Sequence, residues 1–248
     1  MKRALLAITA ALLLTGCGEL TNTIIPRKAT ANQITVALYG PTLDQLGIQK
    51  AQSAGYFTEA DLDVHFINVD STAAGISMLI HNQVELAIVN EPAVLLARNA
   101  DHPLVSVAAI VQSPSLPSST CSKPKKRKTK PHCRATTIPA LRAYSNAGSY
   151  DGLVFALMEN TIVNHTAIPR RFLQAVARGY NAIRNNPPNT VGIQQALGTW
   201  FSPSGEWGLQ AANDWNAFGT YLINHHEITN PNATPAASTN ELLAGQGV

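Results

Sequence analysis

Six polar residues stand just after three apolar runs of the sequence, where a buried strand would pass into a helix. Hydroxyl and amide groups at such turns could orient a small polar ligand, and the free N–H groups of helix N-termini favour partial negative charge on it. A carboxylate in the same set would prefer an amino or protonated-ring substituent. The six predicted ligand-binding residues are Tyr39, Thr42, Ser71, Thr72, Asn90 and Glu91.

The elements that would bring these residues together are visible in their flanking sequence. An apolar run at 64–69 is followed by Asp-Ser-Thr, and a second run at 86–89 is followed by Asn-Glu-Pro, in which proline suits a first helical turn. Two such turns so close together imply parallel strands joined by right-handed crossovers, and ligands bind at the carboxyl ends of such strands. Because Ser, Thr and Asn also cap helices, capping alone stays open as an alternative role for these side chains.

Further apolar runs extend this alternation in both directions. A strand at 34–39 precedes it and a strand at 104–111 follows it. Residues 34–111 are therefore predicted to form lobe 1, a parallel-sheet β-α-β-α-β-α-β unit of an α/β fold. Region 150–248 then predicts a return strand and amphipathic helices that pack on lobe 1. The return strand is expected at 152–158 and the helices at 169–185, 189–198 and 206–223.

Charge is unevenly distributed along the chain. The net charge is +3, yet seven Lys or Arg and no acid lie between Cys121 and Arg134, which leaves −4 for the rest. The basic run lacks interleaved aromatic residues, so no nucleic-acid partner is expected. Cys121 and Cys133 flank the run and could form a disulfide outside the cytoplasm. Two Cys and one His fall short of a four-ligand metal site, so no metal is expected.

The first residues predict a targeting segment rather than part of the fold. Lys2 and Arg3 precede an apolar stretch too short to span a bilayer comfortably, and Leu-Thr-Gly-Cys follows it. This ending resembles the lipobox of bacterial lipoproteins, which implies a signal peptide at 1–16 and lipidation of Cys17. An ordinary secretory signal is the alternative. Residues 17–33 are then expected to form a flexible tether to the membrane.

Three phrases of the sequence carry a resemblance to a known family: AQSAGYFTEADLDV, GISMLIHNQVELAIVNEPAVLLAR and PLVSVAAIVQ. The resemblance returns at 150–154, 169–172 and 239–243. The chain resembles the substrate-binding proteins of ABC importers, of the thiamine-pyrimidine-precursor and taurine or sulfonate type. This implies a type II periplasmic-binding-protein-like fold that traps a small-molecule solute between two lobes. It also implies an extracytoplasmic, monomeric, lipid-anchored protein that delivers its solute to an ABC transporter permease.

The resemblance implies solute capture rather than catalysis, with no cofactor. A thiamine-precursor pyrimidine is the first choice of solute, and taurine, alkanesulfonates and riboflavin-type solutes are alternatives. Pyrimidine synthases share the fold and are the enzyme alternative, but their cysteine-rich motif is missing, as are a Ser-His-Asp order, a phosphate loop and HExxH. Many relatives have Asn-His-Ala-Gly near the first helix, whereas this chain has Leu-Asp-Gln-Leu-Gly at 43–47, so that histidine's ligand contact is absent.

The middle of the sequence departs from the family. Most of residues 112–149 are Ser, Pro, Lys and Arg, whereas a second lobe needs several βαβ units of about 30 residues each. We therefore expect an irregular basic remnant in place of lobe 2. An internal deletion, a local frameshift and a misassembled gene sequence all stay open as its origin. A non-functional, degraded gene product is a further alternative for the whole chain.

Overall fold

The computed structural model of the protein describes residues 32–40, 42–112, 119–121, 133–135, 144, 147, 149–189 and 191–243. The predicted signal peptide, Cys17 and the tether up to residue 31 lie outside these ranges. The strands are β1 (Gln33–Tyr39), β2 (Asp63–Val69), β3 (Leu86–Val89), β4 (Leu104–Val111), β5 (Ser119–Cys121), β6 (Cys133–Ala135) and β7 (Leu153–Met158). The α-helices are α1 (Leu46–Ser53), α2 (Tyr56–Glu59), α3 (Thr72–Ile80), α4 (Glu91–Asn99), α5 (Glu159–His165), α6 (Ala167–Asn185), α7 (Val191–Trp200) and α8 (Ala212–Asn224). Short 3-10 helices lie at Leu43–Gln45 and Pro231–Ala233.

Five strands form one sheet in the order β2-β1-β3-β7-β4. β1 is parallel to β2 and β3, and Tyr39 is level with Val69. β7 lies between β3 and β4 and is antiparallel to both. The predicted strands of lobe 1 are therefore parallel to one another, and the return strand, whose direction the sequence did not predict, lies between two of them and runs against them.

The path of the chain explains this arrangement. The chain leaves the sheet at the carboxyl end of β4 and re-enters at the same edge, where the Gly152 N–H donates to the Val111 carbonyl at 2.7 Å. A strand that enters from this edge must run opposite to its neighbours. The sequence of β7 indicates a buried strand, but nothing local in it indicates the gap that it fills.

The sheet separates two apolar layers, because side chains alternate between its faces along each strand. Phe155 of β7 faces the layer under α1, α6 and α7, whereas Val154 faces the layer under α3, α4 and α8. The first layer contains Phe172, and the second contains Phe218. Both faces of the sheet are covered by helices, as the hydrophobic strands of an α/β domain require.

Two later segments cover the outer edge of β4. The Ala109 N–H donates to the Gly208 carbonyl at 2.8 Å. The Ser106 N–H donates to Ala237 at 2.8 Å, and the Ser106 carbonyl accepts from Thr239 at 2.9 Å. These bonds protect an edge that would otherwise be open to pairing with another chain.

α8 begins at Ala212, later than the sequence pattern indicates. The preceding segment is extended and turns at Gly208, which has a φ of +86°. This turn carries Trp207 to the layer under α6, where its ring stacks on Tyr180 with centroids 4.9 Å apart. Trp215 lies in the opposite layer. The prediction of one helix starting near residue 206 is therefore wrong.

The predicted tether ends too late, since Gln33 already belongs to β1. Gln33 pairs with Asp63 of β2. The residue before it is also held, because the Asn32 side chain donates to Asp61 Oδ2 at 2.7 Å and accepts from Arg171 at 3.2 Å. Strand pairing and these bonds make residues 32 and 33 part of the fold.

The segment 112–149 is not irregular throughout. β5 and β6 within it form a separate two-stranded antiparallel pair. Tyr144 is buried in the layer under α8. The backbone pairing sets Cys121 opposite Cys133, which is compatible with the disulfide expected from the sequence. That disulfide stays a prediction.

Candidate functional site

The carboxyl ends of β1, β2 and β3 and the start of β7 meet along one side of the sheet, here called the carboxyl edge. The strand pairing sets Tyr39 level with Val69, and Val89 level with Val154. The turns beyond these residues therefore lie side by side. In order along the edge they contain Ser71 and Thr72, Tyr39 and Thr42, Asn90 and Glu91, then Tyr150 and Asp151.

Side chains of the turn after β1 cover the end of that strand. Gly40 has a φ of +58°, a conformation that glycine adopts without steric cost. The Gln45 amide donates to the carbonyls of Tyr39 and Gly40 at 2.8 and 2.5 Å. Thr42 caps no helix with its side chain, and its Oγ1 is buried without a hydrogen-bond partner among the described residues. A hydroxyl in this state gains a hydrogen bond if a ligand supplies one.

Ser71 and Asn90 cap the helices that follow them. Ser71 Oγ accepts from the Ala74 N–H at 3.1 Å, and Asn90 Oδ1 accepts from the Ala93 N–H at 2.9 Å. Ser71 is exposed, whereas Asn90 is buried. Thr72, the first residue of α3, is half-buried. The capping role is thus observed for two of the candidates, and any ligand contact would be additional to it.

Glu91 is the candidate that lies furthest from solvent. It is 0% exposed, and its Oε2 accepts the Asp151 N–H at 2.6 Å. Its Oε1 has no hydrogen-bond partner in the described part of the chain. Desolvation by burial, together with the charge of Asp151, raises the pKa of Glu91 to about 9. At neutral pH this carboxyl is therefore protonated and offers a ligand no negative charge.

Asp151 is the site residue that sequence reasoning missed. It is buried at the start of β7, and its Oδ2 accepts the Trp215 Nε1–H at 3.0 Å. Burial raises the pKa of Asp151 to about 7, although the bond from Trp215 acts in the opposite direction. The only local sign of Asp151 in the sequence was a polar Tyr-Asp-Gly before an apolar strand. The position of Asp151 beside Glu91 depends on which gap of the sheet β7 fills.

A second aspartate of low exposure, the half-buried Asp44, lies in the turn after β1. Trp200 Nε1 donates to Asp44 Oδ1 at 3.1 Å, and the Tyr180 hydroxyl donates to the Asp44 carbonyl. Burial raises the pKa of the Asp44 carboxyl. These bonds hold α6 and α7 against the turn after β1. Leu43, which is 48% exposed, stays at the surface of this turn.

No group of three or more His, Cys, Asp or Glu in the described residues could hold a metal ion. No helix among those residues is long and apolar enough to cross a membrane.

Two sequence comparisons identify relatives of this chain. The family model described as NMT1/THI5 like matches residues 43–132. The formylaminopyrimidine-binding protein of Halalkalibacterium halodurans is 32% identical to the chain over 107 residues. This match covers 43% of the chain and 32% of the relative, so the chain spans about a third of the length of the curated relative it matches.

Solved structures show the fold. A conserved gene product of Candida albicans, described as exhibiting the generic periplasmic binding protein fold, superposes with a TM-score of 0.55 at 14% identity, over 84% of this chain and 96% of its own. The alkanesulfonate-binding protein SsuA of Xanthomonas axonopodis pv. citri, solved with bound MOPS, superposes with a TM-score of 0.55 at 10% identity, over 84% and 98%. The fold class and the resemblance inferred from the sequence are thus confirmed: this chain has the fold of the periplasmic binding proteins, and over residues 43–132 it is similar to the NMT1/THI5-like proteins.

Proposed function

We propose that this chain is the solute-binding component of an ABC importer and that its solute lies on the carboxyl edge. The observation that carries the proposal is the meeting of four polar turns, distant in sequence, at the edge where open α/β sheets bind ligands. The periplasmic-binding-protein fold supports it, as does the name of the curated relative, a formylaminopyrimidine-binding protein.

The side chains at this edge favour an amino-substituted pyrimidine over a sulfonate. A sulfonate carries a full negative charge and would gain most from Lys or Arg. The described turns at 39–40, 42–45, 70–72, 90–91 and 150–152 contain neither residue. They contain hydroxyls, amides and carboxyls, which pair with ring nitrogens and amino groups. A thiamine-precursor pyrimidine is the proposed solute, with taurine, alkanesulfonates and riboflavin-type compounds as its competitors.

The proposed contacts form two layers. Tyr39, Thr42, Ser71 and Thr72 are exposed or half-buried and would touch the solute directly. Asn90 and Glu91 are buried and would support the turn behind them. Binding and release need no covalent step, so we propose neither a catalytic residue nor a cofactor.

The same proposal defines the setting of the protein. It would act outside the cytoplasm as a monomer, held at the membrane through lipidated Cys17, and would deliver its solute to a permease. Closure of a binding cleft by hinge motion would accompany capture. Residues 112–149 are too few to encode a full second lobe, which needs several βαβ units of about 30 residues each.

Isothermal titration calorimetry on the purified mature chain tests the proposal. Formylaminopyrimidine, taurine, an alkanesulfonate and riboflavin are titrated separately, and we expect saturable heat with the pyrimidine alone. Saturable binding of one of the other three solutes, without the pyrimidine, would contradict the pyrimidine assignment. Absence of binding by all four would contradict solute binding and favour a degraded gene product.

Thr42→Val tests the proposed site within the same experiment. Valine matches threonine in shape but lacks the buried, unpartnered hydroxyl, so we expect pyrimidine affinity to fall about tenfold while Tm is unchanged or higher. Thr234→Val is the matched control, because Thr234 Oγ1 is also buried without a partner among the described residues. Thr234 follows Ala233, which Arg98 joins to the start of β4 at the opposite edge of the sheet. Equal loss of affinity in both variants would contradict the assignment.

A further inference from the structure

Three elements are joined where the chain re-enters the sheet. Glu91 begins α4, Asp151 precedes β7, and Trp215 lies in α8. Glu91 Oε2 accepts the Asp151 N–H at 2.6 Å, and Asp151 Oδ2 accepts the Trp215 Nε1–H at 3.0 Å. Both carboxyl groups belong to buried residues, 0% and 8% exposed. The junction is thus held by the Glu91 carboxyl and by both the backbone N–H and the carboxyl of Asp151.

The junction also fixes the strands that lead to and from residues 112–149. On the β4 side, Val111 pairs with Leu153, and its carbonyl accepts the Gly152 N–H at 2.7 Å. On the β3 side, the N–H of Asp151, the residue before Gly152, donates to the Glu91 carboxyl. The chain at the start of β7 is therefore bonded to the end of β4 and to the first residue of α4, and of these two bonds only the one to Glu91 involves a group that can ionise.

The charged and titratable groups around Glu91 are acidic. Asp151 and Tyr150 face it from the start of β7, and Asp214 faces it from α8. Neither Glu91 nor Asp151 takes part in the ion pairs formed by the described residues. Burial is the largest cause that raises both carboxyl pKa values, to about 7 for Asp151 and about 9 for Glu91. Loss of one proton from this pair leaves a negative charge that opposes loss of the second.

We propose that Glu91 and Asp151 form a proton-dependent clasp on the return strand, closed while one of the two keeps its proton and loosened when both are ionised. Two adjacent negative charges beside Asp214 are not neutralised within the buried junction. Glu91 Oε1, which has no hydrogen-bond partner among the described residues, cannot be stabilised there as an anion. Entry of water relieves the repulsion and separates Glu91 from the Asp151 N–H. The proton lost in this step goes to solvent, and the step requires no bound solute.

Proton–nitrogen NMR of the mature chain tests the clasp between about pH 5 and about pH 10, a range that spans both ionisations. We expect the Trp215 indole signal, assigned by its loss in Trp215→Phe, to shift and lose protection from exchange towards alkaline pH. Glu91→Gln keeps an oxygen acceptor for the Asp151 N–H and cannot ionise, so its alkaline transition should be absent. Persistence of that transition in Glu91→Gln would overturn the proposal. Should Glu91→Gln fail to fold, Asp151→Asn, which also leaves a single ionisable carboxyl, replaces it with the same expectation.

Asp44 and Trp200 provide a matched control in the same molecule. Asp44 is a half-buried aspartate that also accepts a tryptophan indole N–H, but no second carboxyl contributes to its pKa shift. We expect the Trp200 signal to lack the alkaline transition, and Asp44→Asn to leave the Trp215 transition unchanged. The same transition in both indoles would indicate general alkaline unfolding and would overturn the clasp.

Thermal unfolding gives a second readout. The folded chain keeps protons that the unfolded chain releases near the ordinary pKa values of 3.8 for Asp151 and 4.5 for Glu91. Stability is therefore full below these values, falls as pH rises, and levels off above about pH 9. We expect Tm to fall with pH in the wild-type chain and to fall less steeply in Glu91→Gln. An equal slope in both proteins would contradict the proposal.

Discussion

Gly47 and Gly179 allow α1 and α6 to cross with their backbones in contact. A Cβ atom on Gly179 would overlap the Gly47 carbonyl oxygen, and one on Gly47 would overlap the ring of Tyr180. α1 cannot move away, because Ile48 and Ala51 pack it onto the sheet. Close approach, rather than an unusual backbone conformation, requires glycine at both positions.

Gly179→Ala should therefore be strongly destabilising. We expect the free energy of unfolding to fall by about 3 kcal/mol, at the upper end for overpacked sites, because the methyl group meets backbone rather than a movable side chain. Gly198→Ala is the matched control, since a Cβ there in α7 meets nothing within 4 Å. It should raise stability by up to about 1 kcal/mol through helix propensity. Urea unfolding of both variants measures the two effects, and a destabilised Gly198→Ala with an unaffected Gly179→Ala would refute the argument.

At the scale of residues, the sequence predicted what depends on neighbours along the chain. Ser71 and Asn90 cap their helices because N-cap chemistry is local. The burial of Glu91 and the role of Asp151 were not predicted. Both follow from a contact between positions 60 residues apart, and no local pattern encodes that contact.

The last turn of α4 holds the C-terminal segment against the sheet. The Arg98 guanidinium donates to the carbonyls of Ala233, Leu104 and Pro235 at 2.8, 2.9 and 2.8 Å. These three acceptors lie in different elements, so one planar side chain joins α4, β4 and the chain beyond α8. A lysine ammonium is a point charge and cannot reproduce this arrangement.

Arg98→Lys should lower the free energy of unfolding by about 2 kcal/mol, since it leaves carbonyl acceptors without a donor. Arg170→Lys is the control, because Arg170 makes a single long bond, to the Glu241 carbonyl at 3.3 Å, on an exposed surface. Its effect should stay within about 0.5 kcal/mol. Limited proteolysis, read by mass spectrometry, should cut Arg98→Lys first within residues 229–243. Identical cleavage of the two variants would argue against this role.

At the scale of elements, the sequence was most successful for the buried strands. β3 and β4 lie where their apolar runs predict them, at Leu86–Val89 and Leu104–Val111. The start of α8 was predicted too early. The segment before it is held extended by the bond between Ala109 and Gly208, and the helical spacing of its apolar residues gave no sign of that long-range pairing.

The whole molecule has its exit and return strands side by side. Val111 pairs with Leu153, and none of the described residues between them belongs to a strand of the five-stranded sheet. Among the described residues of that segment, Tyr144 and Tyr150 are buried in the core. The buried Tyr144 ring lies edge-on to Phe218, with centroids 5.4 Å apart, and its hydroxyl donates to Glu227 at 3.2 Å.

Replacing residues 113–143 with a short Gly/Ser linker should leave the domain folded. We expect Tm within a few degrees of the wild-type value and an unchanged circular dichroism spectrum, because loop-closure entropy depends only weakly on length. Replacing 113–149 with the same linker should lower Tm further, since Tyr144 and its contacts are then lost. If replacing residues 113–143 alone unfolds the chain, those residues are required for the stability of the sheet, and the expectation is wrong.

At the scale of the molecule, the sequence predicted the fold class but not the strand order. Periodicity reports which face of a strand is buried, whereas strand order depends on where a distant segment returns. The resemblance to a two-lobed family indicated that the chain comes back to lobe 1. It did not indicate that the returning strand separates β3 from β4.

The central position of β7 imposes an order on folding. β3 and β4 flank a gap that is filled by residues 153–158, which are synthesised more than 40 residues after β4 ends. Until then, each of these two strands has an unpaired edge in the middle of the future sheet. Sheet completion is thus a late, long-range step, of the kind that slows folding. A nascent chain that stops before β7 would keep these strand edges open to aggregation or to binding by chaperones.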